Sequence, residues 1–596
     1  MTQDLARLAE HLCSAGLLTD ARVLPADALT AEWAQFHRIV QAIDGTARVD
    51  GRDLALRLGL PIEFPDCLPK VFVRDPELPG RIPHVFPHGY VCYQEQEGVL
   101  LDRHRPVEVA REALARALET LRRGLAGENH ADFIEELALY WPGDTDGLTF
   151  FTAGDHIEEV FRVILPFAMT HGFVRDRVQA RALILSDTLA PLAKIPKVVE
   201  AVDSAIEESW CRGLYIPLRT VPQPLVPFPL GTWSPTQLAR LIRENLSDED
   251  RRTLDGFTRS IKRDTFVLLR VPRPRGDHHL VGIRYDNVRD AHPLARTPGA
   301  ASISQFRVER RDPGYLLQRG GAAAGLRDRR VLLAGCGAIG GYLALELIRC
   351  GVGHLTLVDP DFLRPENQHR HVLGAPPMVL LPSKAELLAA EIQRRYPGVH
   401  AKGLTDTIDR AIARGAVDPV SFDLVVSATG DPNVDRSLNQ RLHPRARRPS
   451  LLFTWLEPLG IGGHAFTSPR SPANAHGCLD CLFTPHACDP APALANRAAF
   501  AAPGQDFTRE LAGCGNAFTP YSSLDALRTA ELAVRLAIEV LCGEVTGPAL
   551  RSWKGSRAAF DAANYRTSDR YDLAVEDLER LCIDLVAERC PVCGNP

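Results

Sequence analysis

Hydrophobic and polar positions change period several times along the chain, and each change marks an element. The first residues, Leu5 to Ala15, carry apolar side chains at helical spacing among acids and bases. Phe36 to Ile43, Leu54 to Phe64 and Lys70 to Arg74 then read as strands. A corner punctuated by prolines, Phe64-Pro65-Asp66-Cys67-Leu68-Pro69, separates the last two, which predicts an antiparallel meander. Pro106 opens a strongly periodic helix from Val107 to Leu125, since proline is tolerated at a helix start. Further on, Arg181 to Leu185, Thr265 to Val271 and His279 to Tyr285 read as strands. Between them, Pro222, Pro224, Pro227 and Pro229 form a stiff connector, and Ser234-Pro235 caps a helix through Glu244. A short apolar strand, Val331 to Ala334, leads through Gly335-Cys-Gly337-Ala-Ile-Gly340 into a helix ending near Arg349. A second strand, His354 to Val358, follows, and a long helix covers Leu524 to Leu541.

At 596 residues the chain exceeds one hydrophobic core, so several domains are expected. The boundaries read as 1–165, 166–315 and 316–596. A formal net charge of -5 carries no nucleic-acid signature. No apolar run approaches the roughly 18 residues that span a membrane. The acid-bearing amphipathic start is not a secretion signal. A cytoplasmic protein without nucleic-acid or membrane partners is expected. Fourteen cysteines in such a chain point to metal and catalytic thiols rather than disulfides.

Strand, glycine turn, helix and strand in that order form a dinucleotide-binding unit. The glycines admit a phosphate close to the backbone, and Asp359 ends the second strand where ribose hydroxyls would lie. Asp361, Asn367, Arg370, Lys384 and Asp431 follow. Hydride transfer has little use for that set. Chemistry at a nucleotide α-phosphate needs cations against the phosphate charge and a carboxylate for magnesium.

With Gly335, Gly337, Gly340, Asp359, Asp361, Asn367, Arg370, Lys384, Asp431 and Arg436, the segment from about Leu316 onward resembles the adenylation domain of the ThiF/MoeB and ubiquitin-activating superfamily. Asp431 stands in a T-G-D-P-N version of the family's T-D-N. The resemblance implies ATP and Mg2+, with Arg370 and Lys384 on the phosphates, Asp431 on magnesium and Asp359 on the ribose. It also implies a homodimer, and an arginine near Arg310, Arg311 or Arg319 that reaches the triphosphate.

Cys478-Leu-Asp-Cys481 and Cys590-Pro-Val-Cys593 are two C-x-x-C knuckles, and four thiolates fit a closed structural Zn2+ site. Either knuckle alone also reads as a redox dithiol. Between them, Cys514 lies in a glycine-flanked segment before the long helix, a setting that lowers a thiol pKa. Its place resembles the catalytic cysteine segment of activating enzymes, with Cys488 as the competitor. The Ala- and Pro-rich stretch Pro490 to Phe507 reads as a mobile crossover loop, and Cys336, Cys542 and Cys582 read as packing residues.

The N-terminal order of helix, meander, cysteine loop and helix resembles the ubiquitin-conjugating fold, whose members carry H-P-N-V-x-P-x-G-x-x-C before the reactive thiol. Pro83, Val85, Pro87, Gly89 and Cys92 fall in register, with Ile82 in place of His and His84 in place of Asn. In the family that Asn supports an oxyanion, and a hydrogen bond from His84 is the corresponding expectation. Read alone, Cys92 also fits a buried cysteine at a strand end. The middle region reads as a mixed linker domain, a folded spacer in which His278 and His279 are polar strand residues.

The fold class that results is α/β: an α+β ubiquitin-conjugating-like domain, a linker, and a Rossmann-like adenylation domain with structural zinc. The order resembles bacterial fusion enzymes of cyclic-oligonucleotide-based antiphage signalling (CBASS). That resemblance implies a protein donor with a reactive C-terminus, either a nucleotide cyclase or a ubiquitin-like protein. Acyl transfer would run through Cys514 and Cys92 to an amine-bearing acceptor. The alternatives are a sulfur-carrier adenylyltransferase with Cys92 inert, a nucleotide-sensing scaffold without catalysis, and an NAD-dependent oxidoreductase.

Overall fold

A computed structural model describes residues 2–24, 38–78, 82–86, 88–129, 131–141, 148–152, 162–172, 179–186, 212–219, 234–260, 265–374, 381–396, 398–470, 477–485, 494–510, 517–580, 586–587 and 589–594. Among them, residues up to Arg310 form one compact unit and those from Arg311 onward a second. No helix of the described residues is long and apolar enough to cross a membrane.

The first unit opens with the helix Thr2–Ser14 and an antiparallel meander. Its five strands are Thr19–Val23, Ile39–Val49, Arg52–Pro61, Lys70–Val73 and Tyr90–Val91, in chain order. The expected strand at Phe36 to Ile43 is thus Ile39–Val49, with 36 and 37 outside the described residues. The tightest connection is Asp50-Gly51, with φ of 47° and 82°. Left-handed φ at both central residues of a two-residue loop matches the twist of the flanking strands. The helix Pro106–Leu125 buries Ala110, Leu114, Ala117 and Leu121 against Val71, Val73, Val85 and Val91 of the sheet side. Its apolar residues recur every three or four positions, so one stripe faces the sheet. Within the sheet, buried Asp44 accepts from Arg57 Nε at 2.8 Å and Nη2 at 3.0 Å, and from Arg74 Nη1 at 2.8 Å.

A second sheet of the same unit has eight strands. Their order is Ala300–Phe306, His278–Arg289, Thr265–Pro272, Arg212–Pro217, Arg162–Gly172, Gln179–Ser186, Leu148–Thr152 and Glu309–Arg310. The helices Pro235–Glu244 and Asp248–Ser260 add Leu238, Ile242 and Leu254 to its core. The capping expected at Ser234 is present: its side chain accepts from Gln237 N–H while Gln237 Oε1 accepts from Ser234 N–H. Leu137 and Trp141, which follow the first sheet, join this second core, and Trp141 Nε1 donates to Gly282 O at 2.9 Å.

The second unit is built on a seven-stranded sheet. Strands His400–Leu404, His354–Val358, Arg330–Ala334, Leu424–Ser427 and Ser450–Leu456 are parallel neighbours in that order. Gly462–Ser468 and Ala549–Lys554 extend it antiparallel. Chain order reverses between Arg330–Ala334 and Leu424–Ser427, which opens a crevice at their carboxyl ends. Parallel strands covered on both faces are apolar throughout, as Val331, Leu332 and Leu333 are. The helices Ala338–Arg349 and Ser523–Cys542 share one core.

Asp44→Ala leaves the Arg57 guanidinium buried without its anion, and breaking such a pair costs about 3 kcal/mol. The first unit's denaturant midpoint should fall accordingly; a loss below about 1 kcal/mol, the range of exposed pairs, would show the cluster to be solvated.

Candidate functional site

The crevice is shaped by close backbone contact. Gly335 adopts φ of 89°, and a Cβ there would lie 2.6 Å from Ala428 O. A Cβ on Gly340 would lie 1.9 Å from Gly335 O, whereas one on Gly337 would meet nothing within 4 Å. Gly335 and Gly340 therefore pack strand, turn and helix together, and Gly337 faces open space just before the helix Ala338–Arg349.

Asp359 fastens this turn from behind. Its Oδ2 accepts from Cys336 N–H at 2.6 Å and its Oδ1 from Asp361 N–H at 2.8 Å. Asp361 Oδ2 accepts from Lys384 Nζ at 2.8 Å, which holds a nearly buried ammonium beside an exposed carboxylate. Lys384 begins the helix Lys384–Arg395, and Ser383 caps it. Asn367 closes a short turn, with its Oδ1 accepting from Arg364 N–H at 2.9 Å. The Arg370 guanidinium stacks over Tyr521, 5.5 Å from the ring centre. Asp431 caps the helix Pro432–Leu442, accepting from Asn433 N–H at 2.8 Å. Gly335, Gly337, Gly340, Asp359, Asp361 and Lys384 are thus brought to one crevice, and Asp431 follows three residues after Ala428 as the cap of the next helix.

Sequence reasoning missed three residues here. His371 is buried, and its Nε2 lies 2.8 Å from Cys336 O while its Nδ1 accepts from Leu373 N–H. That network assigns the proton to Nε2; burial lowers its pKa. Asp435 lies under the Asp431 turn, accepting from Ser427 Oγ at 2.5 Å and Thr429 Oγ1 at 3.1 Å. Burial pushes its carboxyl up to about 7, against the pull of those hydroxyls. Asp480 is the third. It lies between the first knuckle's cysteines and accepts from Arg436 Nε at 2.9 Å, Asn439 Nδ2 at 2.8 Å and Gln440 Nε2 at 3.1 Å. Arg436, part of the resembling motif, is therefore committed to the knuckle. The acid in Cys-Leu-Asp-Cys was the one available signal for Asp480.

Cys478, Cys481, Cys590 and Cys593 converge, with ligand atoms all within 4.8 Å of one another. Cys478 Sγ lies 3.6 Å from Cys590 Sγ, and Cys481 Sγ 3.3 Å from Cys593 Sγ. Tetrahedral zinc with Zn–S near 2.3 Å separates its sulfurs by about 3.8 Å, so the set fits zinc, and both knuckles belong to one site. Gly477 N–H donates to Cys593 Sγ and Cys478 N–H to Cys481 Sγ.

Cys514, Cys488 and Cys582 lie outside the described residues. The strands Arg509–Glu510 and Ala517–Phe518 pair on either side of 511–516. Ser522 then caps the helix Ser523–Cys542. Two expectations for this part of the chain need correction. Cys542 is exposed at that helix end rather than packed. The described part of Pro490 to Phe507 is fastened: Phe500 and Ala501 donate their N–H groups to Glu457 at 2.6 and 2.8 Å, and Phe500 is fully buried. Arg310 lies in the first unit, where its Nη1 donates to His278 O.

In the first unit, Cys92 N–H donates to His84 O at 2.8 Å and Val85 bridges Val91. The thiol is half-buried, and desolvation, then Glu95 and Glu136, push its pKa up to about 11. The His84 ring does not match the expected hydrogen-bond donor to an oxyanion. Its Nε2 lies 3.1 Å from Asp132 Oδ2 and its Nδ1 3.0 Å from Glu136 Oε1, so both nitrogens are engaged.

A glycine-lined crevice at the strand-order reversal, a nearly buried lysine beside it and a four-cysteine group able to hold a metal are the features of a dinucleotide-binding fold with a structural metal site. Residues 317–550 match the model of the ThiF family, and residues 20–149 match that of prokaryotic E2 family B, so the chain joins a domain of each. It is related to the ATP-dependent ubiquitin transferase-like protein Cap2. Cap2 of Pseudomonas aeruginosa is 25% identical over 517 residues, 80% of this chain and 83% of that protein. Cap2 of Vibrio cholerae is 31% identical over 256 residues, 41% of each. MccB of E. coli, solved with MccA-N7isoASN, superposes with a TM-score of 0.31 at 17% identity, covering 47% of this chain and 70% of that one.

Gly340→Ala should abolish ATP binding by calorimetry, because its methyl group would displace the Gly335 carbonyl. Retained affinity would show that the turn relaxes. Zinc removal and Asp480→Ala should each weaken ATP binding, since Asp480 holds the helix that Asp431 caps. Coupling of this kind is reciprocal and typically worth about 1–3 kcal/mol, so ATP should slow zinc loss to a chelator. Equal loss rates with and without ATP would uncouple the two sites.

Proposed function

We propose that the chain activates the C-terminal carboxylate of a partner protein with ATP and conjugates it to an amine. The observation that carries this reading is the Asp361–Lys384 pair at the mouth of the glycine turn. It sets a nearly buried cation where a nucleotide's phosphates would meet the backbone, in a chain that also bears a thiol in its E2-family domain.

The partner carboxylate attacks the α-phosphate of ATP; the new C–O–P link forms as the bond to pyrophosphate breaks. Lys384 and Arg370 offset charge on the phosphates, and Asp359 holds the ribose side with Asp361 and Asn367. Asp431 would hold Mg2+, which supplies further charge neutralisation. The Cys514 thiolate attacks the acyl carbon and expels AMP. Thioester exchange moves the acyl group to Cys92 and returns the Cys514 thiol. An acceptor amine then attacks, an amide forms, and the Cys92 thiol is released. Splitting the transfer lowers each barrier, and joining both thiols in one chain raises their effective concentration. The zinc site fastens the last knuckle to the domain.

Kinship with Cap2 proteins supports a role in antiphage signalling, with a nucleotide cyclase as the carboxylate donor and a homodimer as the working form. One observation favours a second reading, the sulfur-carrier adenylyltransferase: a thiol pushed up to about 11 is protonated at neutral pH, as an inert Cys92 would be.

The two readings separate on a non-reducing gel with ATP, magnesium and the purified product of the adjacent gene as donor. Cys514→Ser should remove the adduct on the activating domain, and Cys92→Ser should trap the donor there. An adduct pattern unchanged by Cys92→Ser selects the sulfur-carrier reading. Lys384→Ala should lower ATP–pyrophosphate exchange by about a hundredfold, the loss typical for one preorganised charge partner; full activity would remove it from the site.

A further inference from the structure

The loop that leads to Cys92 is held by residues far along the chain. His84 has φ of 65°, a left-handed conformation that costs a non-glycine residue about 1 kcal/mol or more and persists only where the surroundings enforce it. Each of its polar groups is used. The backbone N–H donates to Tyr140 Oη at 2.5 Å, and the carbonyl accepts from Cys92 N–H. The two ring nitrogens face Asp132 and Glu136. Carboxylates only accept, so a ring gripped at both nitrogens is protonated at both. Glu136 and then Asp132 raise its pKa against burial. Tyr140 Oη in turn donates to Glu136 Oε2 at 2.9 Å, and Phe86 stacks on Tyr140.

The gripping residues belong to the short helices Asp132–Glu135 and Leu137–Tyr140, with Glu136 between them. The other side of this segment is fastened to the second sheet of the same unit. Glu135 accepts from Arg273 Nε at 3.1 Å and from Arg275 N–H at 2.7 Å. His279 Nε2 lies 2.9 Å from the carbonyl oxygens of Ile134 and Glu135, and Trp141 donates to Gly282 O. His279, read from sequence as a polar strand residue, is also a tie point.

We propose that segment 132–141 is a bracket that positions the Cys92 loop from the second sheet, with Asp132, Glu136 and Tyr140 gripping His84 and with Glu135 and Trp141 as its anchors. The middle of the chain is then a working part of the conjugating site and not a spacer. This rests on the reading of Cys92 as an acyl carrier. The bracket residues are positioning residues: they act through His84 and the backbone hydrogen bond to Cys92. A loop held at its amide, its carbonyl and both ring nitrogens keeps the thiol in one orientation, which an acyl-transfer geometry requires.

The test uses the full chain and iodoacetamide, with Cys92 alkylation followed by mass spectrometry across pH. The charged groups acting on that thiol are Glu95, Glu136 and Lys70. Glu136→Gln should shift the profile to lower pH. Arg273→Ala touches neither His84 nor Cys92, yet it should also shift the profile and lower the yield of Cys92 adduct. Arg273→Lys, which keeps an ion pair to Glu135, should restore both. A role confined to folding would lower the unfolding midpoint of Arg273→Ala and leave its Cys92 profile that of wild type. That result, with the adduct yield also unchanged, overturns the bracket. The adduct assay keeps the two readings apart: if Cys92→Ser changes no adduct, the carrier reading fails whatever the profiles show.

Discussion

The second unit depends on one close backbone approach. Gly335, Gly340 and Ala428 come so near that no side chain beyond hydrogen fits at either glycine. That contact joins the first strand, the first helix and the fourth strand at the point where strand order reverses. It also shapes the crevice. Carboxyl ends of parallel strands converge there, Asp359 ties the turn to the second strand, and Lys384 reaches it through Asp361. A nucleotide's phosphates need donors fixed before they arrive, and a turn locked by its own packing supplies them without reorganisation.

How much of this was legible follows from the range of the contacts. The strand–turn–helix core could be read because its signals are local: Val331 to Ala334 and the helix to Arg349 appear at their expected places. The helix Pro106–Leu125 shows the same, with its apolar stripe and proline start. The two knuckles were legible as one four-thiol group that could hold a metal, because C-x-x-C spacing needs no knowledge of the fold. What escaped notice lies in pairings that carry no period. His84 meets Asp132 and Tyr140 at separations of 48 and 56 residues. Trp141 meets Gly282 at a separation of 141. Asp435 is invisible for another reason. Its neighbour Asp431 occupies the motif position, and only burial shows that the second acid sits beneath the first, bonded to Ser427 and Thr429.

Buried polar groups in this chain recur at joints between elements. Asp44 joins strands through Arg57 and Arg74, Asp480 joins the metal knuckle to the helix Pro432–Leu442, and Glu457 fastens Phe500 and Ala501 while meeting His464. Each is a carboxylate with at least two donors. A buried carboxylate is costly unless its lone pairs are filled. Such groups therefore fix geometry sharply: any rearrangement that removes a donor leaves a charge uncompensated. Hydrophobic packing alone tolerates small slips; these joints do not.

On the relay reading proposed above, the surroundings of the two thiols would bear on the direction of transfer. At the glycine turn the nearly buried Lys384 is paired with Asp361, a cation placed where phosphate would meet it. Around Cys92, Glu95 and Glu136 raise the thiol's pKa beyond what burial does, while Lys70 opposes them. A thiol of high pKa is a poor leaving group, and one of low pKa departs readily. Cys514, expected from its place before the long helix to be the more acidic thiol, would release an acyl group easily. Cys92 would hold it, because its thioester carries no charge for the acids to oppose. On that proposal, loss from Cys92 would require an amine strong enough to expel a reluctant thiolate. The same carboxylate, Glu136, grips His84 and raises the pKa of the sulfur.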